Sequence, residues 1–149
     1  MNPTNIQKRI EAEIRALQSH EEKYAGIEYK PDLESGTIHI KNTNGPYEDA
    51  IFHLSVRLGN NYPFTPPQIQ FTTPIFHPNF ATNGSMSLSI LRDDWTPSMN
   101  IPSALLIIRE LIIEPCPNGP LNIEAAELYT RDRLQFDHQA KEHTQKYAM

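Results

Sequence analysis

Nucleophilic and metal-binding side chains are scarce in this sequence. Cys116 is its single cysteine, which excludes an internal disulfide and a multi-cysteine zinc site. The six histidines are spread along the chain, at His20, His39, His53, His77, His138 and His143. No two of them have the H-x-x-x-H spacing that places two imidazoles on one face of a helix beside a zinc ion. The sequence therefore predicts no metal site.

Motifs for nucleotide binding and for serine hydrolysis are also missing. The sequence contains neither the G-x-x-x-x-G-K-[ST] loop nor the G-x-G-x-x-G turn, whose backbone amides cradle phosphates. Ser87 follows Met86 and does not stand in the G-x-S-x-G turn that exposes a hydrolase nucleophile. A net charge of -5, from 13 basic and 18 acidic residues, disfavours nucleic acid as the main partner.

The length is that of a single domain, which we expect to span residues 1–149. No apolar run approaches the ~20 residues that cross a bilayer, so we expect no membrane partner. The first residues lack the charged and apolar regions of a secretory signal. With one cysteine, a reducing, intracellular compartment is the simplest location.

The proline and apolar patterns indicate the elements that position the polar residues. Ten of the 13 prolines lie between residues 63 and 120, where the missing amide donor and fixed φ oppose helix formation. A first helix is expected at residues 4–19, with Thr4 and Gln7 as a capping box. Its apolar face contains Ile6, Ile10, Ile14 and Leu17, and its other faces contain Lys8, Arg9, Glu11, Glu13 and Arg15.

Four strands are expected after this helix, at residues 27–29, 37–40, 51–58 and 68–71. The third is the clearest, because its residues alternate as in a half-buried strand. Turns at residues 34–36 and 44–46 separate the first three strands. Such short connections favour an antiparallel meander.

Residues 74–98 form a long segment with little periodicity, and such a segment in a compact domain is usually either functional or disordered. Its apolar residues, among them Phe80 and Trp95, indicate that it is ordered.

Helices are expected again after this segment. Asn100 is placed to cap a largely buried helix with Pro102 in its first turn, and Pro115 ends it. Two more helices are expected at residues 123–129 and 131–147. This order predicts an α+β fold with the helices segregated from the sheet.

Five short motifs occur in order along the middle of the chain: YPFTPP at 62–67, HPN at 77–79, NG at 83–84, LSIL at 88–91 and WTP at 95–97. In this order and spacing the sequence resembles the ubiquitin-conjugating enzymes. The likeness continues through the prolines at 115, 117 and 120 to the final residues, and so covers essentially the whole chain. It implies an N-terminal helix, a four-stranded antiparallel sheet, a long active-site loop and C-terminal helices.

The activity that the resemblance implies is transfer of ubiquitin. A cysteine of the family takes the C-terminus of ubiquitin from the activating enzyme as a thioester and passes it to a lysine or to a ligase. The implied partners are ubiquitin, the activating enzyme and ubiquitin ligases, and no metal or organic cofactor is needed. A cytoplasmic or nuclear location and a monomer are the corresponding expectations.

The main departure from the family pattern is Ser87. The family's cysteine lies ten residues after the HPN histidine, and that position holds Ser87 here. A thiol is partly ionised near neutral pH, whereas a hydroxyl is a poor nucleophile without a base beside it. The chain is therefore expected to be impaired or inactive as it stands. Ser87 is either an engineered replacement, which the otherwise largely intact pattern favours, or a natural variant.

The HPN motif carries the other implied catalytic group. Asn79 matches the family asparagine whose amide stabilises the oxyanion when lysine attacks. The alternative is a structural role, in which its side chain hydrogen-bonds to nearby backbone. His77 is expected to hold the loop in place and not to transfer protons. Ser89, at a position that is often aspartate in the family, is expected to give weak polar support.

The rim of the implied active site lies after the second helix, at Cys116, Asn118, Gly119 and Leu121. Cys116 is outside the nucleophile register and is expected to be a small buried hydrophobic residue. Many family members carry acidic residues at positions 118 and 119, which help to deprotonate the incoming lysine. Gly119 has no side chain for this, so direct transfer to lysine is expected to be inefficient.

Two surfaces for partner enzymes are implied as well. Phe64, Pro97 and Ser98 match the two loops that meet ligases, and Lys8 and Arg9 match the basic pair that meets the activating enzyme and ligases. Prolines around Phe64 stiffen its loop, which suits an exposed aromatic anchor. The residues expected to pack in the core beside these loops are Tyr62 and Trp95.

Two other functions stay open. The chain is alternatively a naturally non-catalytic variant that serves as a ubiquitin- or ligase-binding scaffold. It is also compatible with conjugation of a ubiquitin-like modifier instead of ubiquitin. Retention of the HPN asparagine favours an enzyme, because a pure scaffold has no chemical need for it.

Overall fold

A computed structural model describes residues 5–20, 22–41 and 43–149. The helices and strands follow one another as α1 Asn5–Ser19, β1 Ile27–Lys30, β2 Ser35–His39, β3 Ile51–Arg57, β4 Gln68–Phe71, α2 Ile101–Ile113, α3 Ile123–Arg131 and α4 Arg133–Tyr147. This order confirms the α+β fold expected from the sequence. Thr4, the proposed start of the capping box, lies outside the described residues.

The sheet has the order β1-β2-β3-β4, and all three pairs are antiparallel. Alternate residues of β3, namely Phe52, Leu54 and Val56, are buried, as the period of two in the sequence predicts. Opposite them in the register lie Ile38 on β2 and Phe71 on β4, so one face of the sheet forms the core.

The second strand begins earlier than the sequence suggested. Residues 34–36 were expected to form a turn, but Ser35 and Gly36 belong to β2. The chain turns instead at a short 3-10 helix, Pro31–Leu33, and at Glu34, which has a left-handed φ of 48°. Position 36 leaves little room for a side chain, because a Cβ there would lie 3.3 Å from the Leu105 side chain. Glycine lets this part of β2 pack closely against Leu105.

Helix α2 covers the buried face of the sheet. Asn100 caps it, since its side chain accepts a hydrogen bond of 2.8 Å from the Ser103 amide, and Pro102 lies in the first turn as expected. Its largest fully buried side chains are Ile101, Leu105, Ile108 and Ile112. Burial of each such side chain contributes about 1.5–3 kcal/mol.

The last two helices pack on each other beyond the sheet. Phe136 of α4 meets Tyr129 of α3 edge-on, with 5.0 Å between ring centroids. The break between the helices is at Asp132, whose side chain accepts from the Gln135 amide at 3.1 Å. The prediction from the sequence had this break at residue 130, because it did not consider Asp132 as a helix cap.

Across the described ranges no helix is long and apolar enough to span a membrane.

Candidate active site

His77 is the buried centre of the HPN motif. Its Nδ1 accepts from the Asn79 amide at 3.0 Å, and its Nε2 lies 2.8 Å from the Leu111 carbonyl oxygen at the end of α2. An amide N–H only donates and a carbonyl only accepts, so the ring proton is on Nε2 and the ring is neutral. Burial lowers the pKa of His77 to about 4. Both nitrogens are occupied, which supports the loop-holding role expected for this residue.

Asn79 and Cys116 form a reciprocal pair of hydrogen bonds. Asn79 Nδ2 donates to the Cys116 carbonyl at 2.5 Å, and the Cys116 amide donates to Asn79 Oδ1 at 2.8 Å. The neighbouring Pro78 carbonyl accepts from the amides of Leu121 and Asn122, at 3.0 and 3.1 Å. The HPN motif therefore ties down the loop 115–122 at both ends. Asn79 Nδ2 carries a second hydrogen that the Cys116 bond does not use.

A tight loop brings Ser87 back towards the HPN motif. Phe80 and Met86 form an isolated antiparallel bridge, and the Ala81 amide donates to Ser85 at 2.9 Å. In an antiparallel register, the next pair outward from Phe80 and Met86 consists of Asn79 and Ser87. Asn79 directly precedes Phe80 and Ser87 directly follows Met86, so both residues with implied catalytic roles adjoin this bridge. Ser87 is exposed to solvent.

Gly84 makes this loop possible. Its carbonyl accepts from the Phe71 amide of β4 at 2.9 Å, which fastens the loop to the sheet. Its φ is +91°, and a Cβ there would lie 2.1 Å from the Phe71 carbonyl oxygen. Only glycine fits so close to a backbone oxygen. The preceding Asn83 accepts from the Ser85 amide at 3.0 Å, so the NG motif serves the turn.

After Ser87 the chain enters a 3-10 helix, Ser89–Leu91. Leu88, Ile90 and Leu91 are partly buried and pack against the core, which holds this segment down. Ser89 is exposed, and its carbonyl accepts from the amides of Arg92 and Asp94.

The rim of the site is more open than the sequence suggested. Cys116 was expected to be a small buried residue, but its side chain is exposed. The reason is that its backbone is hydrogen-bonded inward to Asn79, which leaves the thiol outside. Asn118 and Gly119 are exposed too, and Leu121 is 41% exposed. Gly119 has a φ of +69°, with no atom within 4 Å of the position a Cβ would take.

The two implied ligase-contact loops lie side by side. Phe64 is 78% exposed and is not a core residue. Tyr62 and Trp95 are buried, as expected, and the Trp95 indole Nε1 donates to the Pro63 carbonyl at 2.8 Å. This bond joins the loop of Phe64 to the loop of Pro97 and Ser98, which are exposed.

The basic pair of α1 is divided between two tasks. Lys8 is exposed, in keeping with a contact residue. Arg9 donates to the Met99 carbonyl, and its Nε lies 3.8 Å from Glu13 Oε1. Arg9 therefore anchors α1 to the segment before α2 as well as presenting charge.

Glu13 is the residue that sequence reasoning missed. It was assigned to a face of α1 other than the apolar one, but its side chain is 3% exposed. Its Oε1 accepts from the Tyr62 hydroxyl and from the Ile101 amide, the latter at 3.0 Å. Burial raises the pKa of Glu13 above its usual value. The signal was its spacing, because position 13 lies one turn from Ile10 and Leu17 on the apolar face.

Among the described residues no three His, Cys, Asp or Glu side chains are grouped as metal ligands.

Comparisons with known proteins show which proteins this chain resembles. The sequence model of a family described as ubiquitin-conjugating enzyme matches residues 9–144. The chain is 38% identical over 142 residues to an Arabidopsis thaliana protein named "Probable ubiquitin-conjugating enzyme E2 31", covering 95% of this chain and 92% of that protein.

Solved structures give the same result. The E2 domain of a ubiquitin conjugating enzyme from Toxoplasma gondii has a TM-score of 0.84 and 29% identity, covering 97% of this chain and 100% of that one. A candidate ubiquitin conjugating enzyme from Plasmodium yoelii has a TM-score of 0.89 and 28% identity, covering 100% of this chain and 99% of that one.

Proposed function

The chain belongs to the ubiquitin-conjugating enzyme family, and we propose that residue 87 is where it accepts the C-terminus of ubiquitin for transfer to a lysine or a ligase, a relay that Ser87 impairs. The observation that carries this proposal is the register of the active-site loop. Asn79 and Ser87 each adjoin the isolated Phe80–Met86 bridge, one on each strand of the loop, and an antiparallel continuation would bring them opposite each other. An acyl group on residue 87 would therefore form beside the Asn79 amide.

The chemistry of the relay needs a thiolate at this place. A thiolate attacks the carbonyl carbon of the ubiquitin thioester on the activating enzyme, a new C–S bond forms, and the thiolate of that enzyme leaves. A lysine amine then attacks the new thioester to form a C–N bond, and negative charge develops on the carbonyl oxygen. The C–S bond breaks, the thiolate of residue 87 leaves, and the amine loses its proton to solvent. The free hydrogen of Asn79 Nδ2 is suited to donate to that oxygen, because the Cys116 pair already fixes the amide plane.

The nearest histidine in sequence, His77, is not available as a base for the Ser87 hydroxyl. His77 is the histidine of the neighbouring motif, but both of its ring nitrogens are occupied by Asn79 and Leu111. Attack by Ser87 would form a C–O bond and give an ester, which is less activated than a thioester. The proton of the hydroxyl would have to pass to solvent or to the departing thiolate. Loading of Ser87 is therefore slow, and onward transfer is slower still.

Partner binding is assigned to exposed residues on two loops and on α1. Phe64, Pro97 and Ser98 form a ligase-contact surface on two loops that are joined by the Trp95 bond. Lys8 adds positive charge on α1 for the activating enzyme and ligases. We assign no nucleic-acid or membrane partner, and we propose a monomer that works in the cytoplasm or nucleus.

A second candidate function is a scaffold that binds ubiquitin or a ligase without carrying the acyl group. The observation in its favour is Ser87 itself, if the serine is natural and not a replacement. A ubiquitin-like modifier in place of ubiquitin is a variant of the first function, with the same chemistry at residue 87.

Incubation with activating enzyme, ATP and ubiquitin tests the assignment of residue 87. The chain is expected to form no adduct that reductant removes, and at most a slow adduct that resists reductant but is labile to base. Ser87→Ala should abolish that slow adduct. A rapid, reductant-sensitive adduct that Cys116→Ser abolishes would place the acyl group on Cys116 and contradict the assignment.

A further inference from the structure

Three separate parts of the chain meet at one buried oxygen of Glu13. The carboxylate projects from α1, and its Oε1 accepts from the Tyr62 hydroxyl at the start of the YPFTPP loop. The same oxygen accepts from the Ile101 amide, at the first residue of α2, at 3.0 Å. Arg9 lies 3.8 Å away on the preceding turn of α1. One side chain thus fixes the distances between α1, the YPFTPP loop and α2.

Each of these contacts lies beside a residue of the ligase-contact surface. Tyr62 is two residues before Phe64, and Ile101 is three residues after Ser98. Two further bonds close the arrangement, from Trp95 Nε1 to the Pro63 carbonyl and from Arg9 to the Met99 carbonyl. The loop of Phe64 and the loop of Pro97 are therefore held to each other directly and to α1 through Glu13.

Packing alone does not explain this side chain. Glu13 is 3% exposed, and its Oε2 is buried without a hydrogen-bond partner among the described residues. A buried carboxylate with an unpaired oxygen is costly, and an apolar residue at this place on the helix would avoid that cost. What an apolar residue cannot do is fix two donors from different loops on one atom. Polar networks of this kind specify a geometry.

We propose that Glu13 is a positioning residue, which sets the spacing between the Phe64 loop and the Pro97 loop and thereby the affinity for a ligase. The ligase part of this statement rests on the proposed function. The loop spacing does not, because it is a property of the chain alone. Glu13 touches neither the transferred group nor a partner, and it acts through Tyr62 and Ile101.

The single tryptophan of the chain gives a direct test of the loop spacing. Trp95 bridges the two loops. Its indole ¹⁵N–¹H resonance and its fluorescence maximum therefore report on the spacing between these loops in the folded chain. In the full-length chain, Glu13→Ala is expected to move this resonance. Glu13→Gln keeps an acceptor oxygen and is expected to leave the resonance at its position in the parent chain. Glu11→Ala is the matched control, because Glu11 is an exposed acid on the same helix. It should leave the resonance unchanged.

Ligase affinity is measured on the same variants with an isolated ring-type ligase domain. Glu13→Ala is expected to weaken binding by about tenfold, and Glu13→Gln and Glu11→Ala by less than about twofold. Tyr62→Phe, which removes one hydroxyl, keeps the proposal testable if Glu13→Ala does not fold, and it should shift the Trp95 resonance in the same way. An unchanged resonance in Tyr62→Phe and in folded Glu13→Ala would overturn the proposal. If the parent chain binds no ligase, the proposed function fails, while the Trp95 resonance still decides the role of Glu13.

Discussion

Asn79 and Cys116 hold each other through two hydrogen bonds, one in each direction, at 2.5 and 2.8 Å. The asparagine ends the HPN motif and is the proposed oxyanion donor, and the cysteine lies on the rim that we propose for the incoming lysine. A single amide side chain thus links the proposed oxyanion donor to the backbone of the proposed rim. Changes on the rim are therefore expected to act on the transfer step and not on the loading of ubiquitin.

Gly119 gives the first prediction. In a chain that carries Ser87→Cys, adding Gly119→Asp should speed discharge of ubiquitin to free lysine by roughly tenfold or more, because a carboxylate can take a proton from the amine. Loading should change little. The position has open space and a left-handed φ, which aspartate and asparagine tolerate better than other side chains. Thioester decay on gels, with lysine added, is the measurement.

Gly119→Asn is the matched control for this change. It fills the same space and has the same backbone preference, but it carries no negative charge. Equal rates of discharge for the two variants would reject proton transfer as the function of this position.

His77 gives a prediction for pH. Its folded pKa of about 4 lies below the usual 6.5 because the ring is buried. Between these two pH values the imidazole binds a proton in the unfolded chain but not in the folded chain. The contribution of His77 to the free energy of unfolding therefore falls as the pH drops from 6.5 to 4. The loss is at most about 3 kcal/mol and does not grow below that window.

A site-specific titration separates His77 from other groups. Glu13 has a raised pKa and contributes with the opposite sign, since its folded form binds a proton more readily than the unfolded form. The imidazole resonances of His77 should therefore be followed by NMR. They are expected to show the Nε2-protonated neutral ring down to pH ~5, a full unit above the folded pKa. A titration midpoint of His77 near pH 6.5 in the folded chain would contradict a buried ring that is hydrogen-bonded at both nitrogens.

Phe64 gives a prediction for ligase binding. Phe64→Ala should weaken binding to a cognate ring-type ligase domain by ~1–3 kcal/mol, as loss of an exposed aromatic anchor does. The melting temperature should hardly change, because the ring is 78% exposed. Leu134→Ala is the matched control, since Leu134 is an 85% exposed apolar residue on α4. A loss of folding in Phe64→Ala, or equal losses of affinity in the two variants, would remove Phe64 from the proposed contact surface.

Much of the fold could be predicted from local patterns. The period of two in β3 and the asparagine cap of α2 act within a few residues, and both were found from the sequence. The start of β2 and the break at Asp132 were misplaced by about two residues, because Ser35, Gly36 and Asp132 suit more than one role. The close fit of Gly36 against Leu105 depends on packing between distant elements.

The site was less predictable than the fold. The motif positions led to Asn79 and Ser87, but nothing local to Cys116 indicated that Asn79 would hold its backbone and leave its thiol exposed. Glu13 was missed for a similar reason. Its partners, Tyr62 and Ile101, are 49 and 88 residues away in sequence, and only the folded chain brings them to one carboxylate.

The most direct test of the account is the loading of a chain that carries Ser87→Cys. Cys116→Ser is added so that residue 87 holds the only thiol, and the chain is incubated with activating enzyme, ATP and ubiquitin. We expect an adduct of one ubiquitin that is stable on a gel without reductant and disappears when reductant is added. The reasons are that a thiol at residue 87 is partly ionised near neutral pH and that residue 87, like Asn79, adjoins the Phe80–Met86 bridge. No such adduct with any of several activating enzymes, including those for ubiquitin-like modifiers, from a chain that is folded, would contradict the account and favour a scaffold.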